Sequence, residues 1–171
     1  MKIEMHFLVL LACLSCNVDN KDKCADAVID EKIEALSEYR RQFYDKKYTG
    51  TVRSYFEGSD DQIAKLVHYK SGDIVKYESF YENGDPKIIK PIKCNSTHGT
   101  LVYFMDKGKV GYELEYVLGK MHGKGNSYYE NGRVQKTVQY ENDKKNGAQY
   151  EFSEQGDTIL IEIFDHGKKI K

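Results

Sequence analysis

The sequence predicts a mainly β protein, an extended antiparallel meander of β-hairpin repeats with an N-terminal α-helix that caps the array. Three observations predict this class. Tyr and Gly are abundant (14 each) and Pro is scarce (2), which suits short strands joined by tight glycine turns. Glycines and aromatic residues recur every 24 residues in the second half of the chain. The segment before them has the apolar spacing of an amphipathic helix.

The length and charge of the chain narrow the class of protein. A chain of 171 residues fits one ordinary domain or one short repeat array. Charged residues make up 31% of the chain and balance to a net charge of −1. Such a chain has no overall field that would attract nucleic acid or anionic lipid. We therefore expect no nucleic-acid partner.

Residues 1–16 are typical of a bacterial lipoprotein signal peptide. A short basic start is followed by an apolar run of about nine residues, from Phe7 to Ser15. That run is far shorter than the roughly 20 residues that span a bilayer. A small residue, Ser15, stands directly before Cys16, as in the lipobox that precedes a lipidated cysteine. We predict that Cys16 carries the lipid, with palmitate among its acyl chains, and begins the mature protein.

Two alternatives stay open at this end of the chain. Leu10-Leu11-Ala12-Cys13 is closer to the usual leucine-anchored lipobox but leaves an apolar stretch of only six residues. An ordinary cleaved signal would carry no lipid. In the leading interpretation, acyl chains hold the protein on a membrane and the polar residues 17–24 form a tether.

Two cysteines, Cys24 and Cys94, remain after the signal is removed. Compartments outside the cytoplasm favour disulfides, so we predict that these two thiols form one bridge. A disulfide that closes so long a loop would stabilise the folded protein by about 4 kcal/mol. A redox or metal pair is the alternative, but the sequence has neither CxxC spacing nor a His or acid cluster to complete a metal site.

Residues 25–45 predict an amphipathic helix. The positions on one helical face are Ile29, Ile33, Leu36, the stem of Arg40, and Phe43. Their spacings of four and three residues are typical of a helix, and no Gly or Pro interrupts them. Acidic residues crowd the first half and basic residues the end, which suits the helix dipole. We interpret this helix as a cap on the open end of the array; a membrane or partner helix is the alternative.

Residues 50–171 repeat with a period of 24. From three starting glycines, Gly99, Gly123 and Gly147, matching residue types recur 5, 9, 17, 20 and 21 residues further on. The columns are Phe104, Tyr128 and Phe152; Gly108, Gly132 and Gly156; Tyr116, Tyr140 and Phe164; Gly119, Asp143 and Gly167; and Lys120, Lys144 and Lys168. The stretch 50–74 fits with about two extra residues near Ser59. We count about five repeats, three of them clear.

Each period predicts a β-hairpin. Asn131-Gly132 stands between two strand-like runs, the strongest short-range hairpin signal, and Asn83-Gly84 repeats it. The glycines nine residues after each start are expected to adopt positive φ, which costs glycine no steric strain.

Alternation along the second strand of each hairpin predicts one apolar, aromatic face and one polar face. The apolar positions are Val110, Tyr112, Leu114 and Tyr116 in one repeat, and Val134, Val138 and Tyr140 in the next.

The segment Gly119-Lys-Met-His122-Gly123-Lys-Gly125 follows Tyr116 and precedes Tyr128-Tyr129-Glu-Asn-Gly132. In this order the residues resemble the MORN repeat (membrane occupation and recognition nexus), and most of all a bacterial variant that reads roughly Gly-x4-Tyr-x3-Gly and then Tyr-x2-Gly. The resemblance covers residues 75–171 well and 50–74 poorly. Departures from the pattern occur at Val75, Pro86, Pro91 and Asp143. Many bacterial members carry the name of an antitoxin family, by association with a secreted toxin of the deaminase type. MORN arrays also serve as scaffolds and lipid-adjacent modules.

His98 and His122 are the candidate metal ligands. These histidines are one repeat apart and should therefore lie two strands apart. At the usual strand spacing the distance between them would be roughly 10 Å, which is too far for both to bind one ion. They align with Asn146, each before a glycine. We interpret this column as a turn position that tolerates positive φ, where His and Asn are enriched.

Two charged columns are the remaining candidates for chemistry. Acidic residues precede the turn glycines at Glu82, Asp106, Glu130 and Glu154, and lysines recur at Lys120, Lys144 and Lys168. We interpret both as solvated rims; catalytic carboxylate pairs and an anionic-lipid site are the alternatives. The sequence contains no nucleophile elbow, phosphate loop, HExxH motif or calcium loop. We therefore predict no catalytic residue, no metal and no cofactor.

The strand at 157–164 is apolar on both faces. Ile159, Ile161 and Ile163 should lie on one face, and Leu160 and Phe164 on the other. An exposed row of isoleucines at a sheet edge is an aggregation liability, so we predict that this row meets a partner: a second copy of the array or another protein.

The sequence thus predicts a non-enzymatic lipoprotein of the bacterial cell envelope that binds a protein partner. The resemblance implies antitoxin or immunity function against a secreted toxin as one form of this activity. The alternative is a structural or surface scaffold lipoprotein with no toxin link. An enzyme with a site in the groove of the sheet is a third class, without a supporting motif.

Overall fold

A computed structural model describes residues 48–171, which form one sheet of 12 strands. The strands are β1 Gly50–Tyr55, β2 Ile63–Lys70, β3 Asp73–Phe80, β4 Pro86–Lys93, β5 Ser96–Thr97, β6 Gly99–Phe104, β7 Val110–Val117, β8 Lys120–Tyr128, β9 Val134–Glu141, β10 Lys144–Phe152, β11 Thr158–Asp165 and β12 Lys168–Lys169. Within these residues, a 3-10 turn at Asp106–Gly108 precedes β7. The predicted signal peptide (1–16), tether (17–24) and helix (25–45) lie outside the described residues.

The sheet is an antiparallel meander, as the sequence predicts. Strands that follow one another in the chain lie side by side from β1 to β12, with one exception. The two-residue strand β5 pairs only with β4, so that β6 is the next strand in the main sheet.

One rim of the sheet carries loops of five residues. In each loop the N–H of the first residue donates to the carbonyl of the last, as in Tyr81–Asp85 (2.9 Å) and Tyr129–Arg133 (2.8 Å). The fourth residue of each loop has positive φ: Gly84, Gly108, Gly132 and Gly156. The prediction for these glycines is confirmed. The loop Phe56–Gln62 is closed by the same bond (3.0 Å) with two more residues, as the repeat alignment indicates.

The other rim carries turns of two residues, in which both residues have positive φ. These turns are 71–72, 94–95, 118–119, 142–143 and 166–167. Positive φ at both positions defines the type I′ turn, whose twist matches that of the paired strands. Each 24-residue period therefore contains two strands and two turns of different kinds, and only the longer loop carries the Asn-Gly signal.

Two bulges shape each full repeat. The first lies at the starting glycine, where Gly99, Gly123 and Gly147 have φ of 104°, 104° and 107°. The interpretation of His98 and His122 as positive-φ turn residues is wrong, because in each case the following glycine, and not the histidine, has the positive φ. A side chain at these glycines would be strained by the backbone conformation itself.

The second bulge follows each long loop and shifts the alternation by one residue. Val110 pairs with Phe104 whereas Tyr112 pairs with Tyr103, so Gly111 is an extra residue between them. Because paired residues share a face, Val110 lies on the face opposite to Tyr112. The same bulge recurs after the next long loop. There Val134 pairs with Tyr128 and shares its face, whereas Val138 lies on the other face. In β7 and β9 the predicted apolar positions therefore share one face except for the first in each strand, but that face also carries Lys136 and Glu151.

We call the two sides of the sheet the tyrosine face and the second face. Cross-strand pairing gives a continuous row on the tyrosine face: Ser79, Ile88, Tyr103, Tyr112, Ser127, Lys136, Glu151 and Leu160. The adjacent row on the second face is Glu78, Ile89, Val102, Glu113, Asn126, Thr137, Tyr150 and Ile161. The rings of Tyr103 and Tyr112 stack at 4.9 Å.

Burial is concentrated on the tyrosine face. Among the described residues, the buried ones are Ser79, Gly125, Val138 and Gln149, all on that face. Every other side chain from Tyr48 onward is half-buried or exposed. The described sheet therefore has the hydrogen bonds of its ladders but very little enclosed core.

Candidate binding surface at the C-terminal end of the sheet

The second face ends in an apolar cluster on β10 and β11. Ile161 pairs with Tyr150, and Ile163 pairs with Ala148. The rings of Tyr150 and Phe152 stack at 6.3 Å. Tyr150 is 37% exposed and Ile161 is 56% exposed. We call Tyr150, Phe152, Ile161 and Ile163 the isoleucine patch.

Ile159 stands apart from the isoleucine patch, although it is 63% exposed. Thr158 pairs with Phe152 and Leu160 pairs with Glu151, so Ile159 is the extra residue of the bulge. Of the three isoleucines in the predicted row, Ile161 and Ile163 therefore share a face, and Ile159 lies in the bulge. The sequence could not show this, because the bulge is visible only in the pairing with β10.

The tyrosine face of the same strands carries a polar network around Gln149, which is 2% exposed. The Gln149 amide nitrogen donates to Glu162 (2.9 Å), and its amide oxygen accepts from Lys145 (2.7 Å). Lys136 pairs with Glu151 at 2.7 Å, and Lys169 pairs with Glu162 at 2.8 Å. These contacts link β9, β10, β11 and β12 through side chains.

Electrostatics in this network favour the charged form of Glu162. The hydrogen bond from Lys169 lowers the pKa of the Glu162 carboxyl, and the charges of Lys145 and Lys136 add to this effect. Sequence reasoning missed the network because its members are dispersed along four strands, and only the register brings them together. At its C-terminal end the sheet is thus apolar on one face and charged on the other.

A second polar cluster lies on β1, β2 and β3 at the other end of the sheet. His68 contacts the Thr51 hydroxyl through Nδ1 (2.9 Å) and the Glu78 carboxylate through Nε2 (2.5 Å). Lys76 pairs with Glu78 at 2.8 Å. Burial raises the pKa of Glu78, but the hydrogen bonds from Lys76 and His68 outweigh it, so the pKa lies below its usual value. This chain of contacts ties three neighbouring strands together.

The histidine column supports turns in the neighbouring strands. The N–H of Leu118 donates to His98 Nδ1 (3.4 Å), and the N–H of His166 donates to the Asn146 side chain (3.2 Å). His98 and Asn146 thus each bond to the two-residue turn of the next hairpin. Within residues 48–171, no three His, Cys, Asp or Glu side chains come close enough to hold a metal ion.

The charged columns lie on opposite rims. Glu82, Asp106, Glu130 and Glu154 are exposed in the long loops. Lys120, Lys144 and Lys168 are exposed directly after the two-residue turns. The two columns therefore face solvent at opposite ends of the strands, which matches their interpretation as solvated rims.

Cys94 is the first residue of the two-residue turn between β4 and β5, with φ of 50°, and is disulfide-bonded. Its predicted partner, Cys24, lies outside the described residues, as do Cys13 and Cys16. The pairing of Cys24 with Cys94 therefore stays a prediction. In the part of the chain that the structure describes, no helix has the length and apolarity needed to span a membrane.

Comparison with known proteins gives weak similarities. No family model matches the chain, and no curated protein matches it. One similar solved structure is a mutant of S. aureus TarM in complex with fondaparinux, alpha-GlcNAc-glycerol and UDP, at 12% identity and a TM-score of 0.39 over 78% of this chain. Another is a Glycosylation Associate Protein complex from Streptococcus agalactiae, at 19% identity and a TM-score of 0.34 over 58% of this chain. The chain spans 23% and 22% of those two chains, and similarity at this level carries no argument about fold or function.

Proposed function

We propose that this protein is a non-enzymatic lipoprotein of the bacterial envelope that binds a protein partner through the isoleucine patch. One observation carries the proposal: Ile161 is 56% exposed beside the stacked rings of Tyr150 and Phe152. Contiguous apolar surface of this kind on a soluble domain is typical of interaction sites.

The composition of the patch suits protein recognition. Tyrosine and other aromatic residues are enriched at the centre of protein interfaces, and full burial of one Ile or Phe side chain is worth roughly 1.5–3 kcal/mol. The charged network on the tyrosine face keeps its lysines and carboxylates on the other side of β10 and β11. A partner can therefore cover the patch without desolvating that network.

The envelope location rests on the sequence. The apolar run before Cys16 fits export, and lipidation at that cysteine would hold the sheet at a membrane surface. The bacterial MORN-variant resemblance of residues 75–171 supports the antitoxin or immunity form of the proposal, in which the partner is a secreted toxin.

Matched variants of the full-length protein test the proposal. Tagged protein would be used to capture partners from envelope extract of the source cells. We expect one captured protein to be lost with Tyr150→Ser and with Ile161→Ser. The controls are Tyr55→Ser and Val117→Ser, whose residues are 45% and 42% exposed on strands far from the patch. Equal capture by all four variants would exclude the patch as the binding site and favour a scaffold role.

A further inference from the structure

The second face carries a line of aromatic side chains, one directly before each loop of five residues. The four residues are Phe80, Phe104, Tyr128 and Phe152, and we call them the aromatic row. Each directly follows a residue of the tyrosine face within its strand, so its side chain lies on the second face. All four side chains are half-buried.

Smaller side chains separate the rings of the aromatic row. Across the adjacent bulges the four rings pair, in order, with Pro86, Val110, Val134 and Thr158. Because paired residues share a face, large and smaller side chains alternate along one line that crosses the strands. In the part of the chain that the structure describes, the strands form one layer and no second layer covers this line.

The rings recur at every second strand of the sheet. Neighbouring strands lie about 4.8 Å apart, so successive rings are about 9.6 Å apart. A bound chain that contacts each ring in the same way must therefore present one of its sides at this interval.

Of the regular backbone conformations, polyproline II matches the interval best. Such a chain has three residues per turn and rises about 3.1 Å per residue, so one side recurs about every 9.3 Å. An extended strand presents one side about every 6.6 Å. An α-helix does so about every 5.4 Å, and two of its turns, about 10.8 Å, overshoot the ring spacing by more than 1 Å at each step.

Acidic side chains border the aromatic row along its length. Glu82, Asp106, Glu130 and Glu154 each stand two residues after a ring and are exposed. The five long loops together contain nine acidic residues and three basic ones, although the two kinds are equal in number over residues 48–171. One of the three, Arg133, donates to the carbonyl of Glu154 (2.8 Å). Charge complementarity therefore favours a basic chain along this line.

We propose that the second face binds a basic, proline-rich segment of the partner protein, in the polyproline II conformation, along the aromatic row. Prolines lie against the rings, and a lysine or arginine at every third position reaches the acidic residue beside each ring. Such segments are preformed in solution and lose little conformational entropy when they dock on aromatic side chains. This inference rests on the proposed function and names the chemistry of the partner, since Phe152 belongs to both the aromatic row and the isoleucine patch.

A synthetic peptide of five Pro-Pro-Lys units tests the spacing. We expect saturable binding of the labelled peptide to the full-length protein, measured by fluorescence anisotropy and weakened by salt. A peptide with the same prolines and lysines in two separate blocks should bind several-fold more weakly, because its charges no longer follow the interval of the rings. Five Pro-Pro-Glu units keep the backbone conformation but reverse the charge, and should not bind.

Variants of the protein test the position of the site. Phe104→Ala should weaken binding of the Pro-Pro-Lys peptide several-fold, with circular dichroism to check that the sheet is intact. Glu130→Lys should also weaken it several-fold, and its exposed side chain in a loop makes loss of folding no explanation. The matched control is Asp73→Lys, the same reversal at an exposed residue next to the two-residue turn 71–72, on the opposite rim. It should leave binding unchanged.

Three results would each overturn the inference: no binding of the Pro-Pro-Lys peptide, equal binding of the block peptide, or equal losses for Glu130→Lys and Asp73→Lys. The capture experiment with Tyr150→Ser and Ile161→Ser reports on the proposed function separately. Capture that depends on those residues, without peptide binding, would keep the isoleucine patch and exclude a proline-rich partner. Peptide binding that follows the predicted pattern, with capture unchanged in both serine variants, would support the aromatic row and exclude the patch.

Discussion

The hydroxyl of Tyr129 donates a hydrogen bond to the backbone carbonyl of Phe152, 2.7 Å away in the next repeat. Tyr81 makes the same bond to Phe104 at 2.8 Å, two periods earlier. The equivalent positions between and after them are Met105 and Ser153, which have no phenol. Alternate long loops are therefore tied to their neighbours by a side-chain bond in addition to the backbone ladder.

We expect Tyr129→Phe to lower the free energy of unfolding by about 0.5–1.5 kcal/mol, because it removes one half-buried hydrogen bond and leaves the Phe152 carbonyl without that donor. Urea denaturation measures the change. Tyr55→Phe is the control, since Tyr55 is 45% exposed and should alter stability little. Equal effects for the two variants would show that the inter-repeat bond does not stabilise the array.

Gly132→Val should destabilise the protein by about 1–3 kcal/mol, because a β-branched residue is strained at a φ of +82°. A Cβ at Gly132 would meet no atom within 4 Å, so the backbone conformation alone causes the loss. Asn131→Ala should cost less, since it removes one bond, from the Arg133 N–H to the Asn131 side chain (2.9 Å). Thermal unfolding of both variants measures the two losses of stability. A loss for Gly132→Val that is equal to or smaller than that for Asn131→Ala would contradict the assignment of positive φ to this turn.

Gln149→Ala should cost about 1–3 kcal/mol, because the buried amide is the common partner of Lys145 and Glu162. Gln139→Ala, an exposed glutamine on the neighbouring strand, should change stability by no more than about 0.5 kcal/mol. Chemical denaturation of the pair measures the difference. A stabilised Gln149→Ala variant would mean that the network opposes folding.

Acid should weaken the last hairpins through Glu162. The hydrogen bond from Lys169 lowers the pKa of Glu162 in the folded protein, so its stabilising contribution is present above the ordinary pKa of a Glu carboxyl and is lost as the pH falls through the folded pKa. As the pH is lowered through this acid range, the melting temperature of the wild type should therefore drop more than that of Glu162→Gln. Glu154→Gln, on the exposed rim, serves as the control. If the melting temperatures of the wild type and Glu162→Gln depend on pH in the same way, the ion pair of Glu162 with Lys169 is not the cause of the acid destabilisation.

Fatty-acid labelling of cells should mark the wild-type chain and fail to mark Cys16→Ser, because the lipid is attached through that thiol. Cys13→Ser should still be labelled. If Cys13→Ser alone loses the label, lipidation takes place three residues earlier. If both variants keep the label, the lipoprotein hypothesis is wrong.

The period and the long loops could be predicted from the sequence because each depends on local chemistry. Gly84, Gly108, Gly132 and Gly156 occupy a backbone conformation that other residues adopt only with strain, so glycine recurs there. The two extra residues near Ser59 also show in the alignment, and they fall in the loop Phe56–Gln62.

The two-residue turns and the bulges could not be predicted in the same way. Leu118, Asn142 and His166 adopt positive φ although none is glycine, so composition does not reveal these turns. The bulges at Gly111 and Ile159 depend on which residue of the neighbouring strand is paired, and this register is a long-range property. The isoleucine patch and the Gln149 network both follow from it.

The loop Phe56–Gln62 holds two more residues than its counterparts, yet the same backbone bond closes it and the strands on either side remain paired. Length in these loops is therefore uncoupled from strand register. The long-loop rim is a site where insertions can accumulate during evolution, and where an epitope tag or a fluorophore can be grafted without disturbing the sheet. The opposite rim has no such tolerance, because a third residue in a type I′ turn would end the match between turn and strand twist.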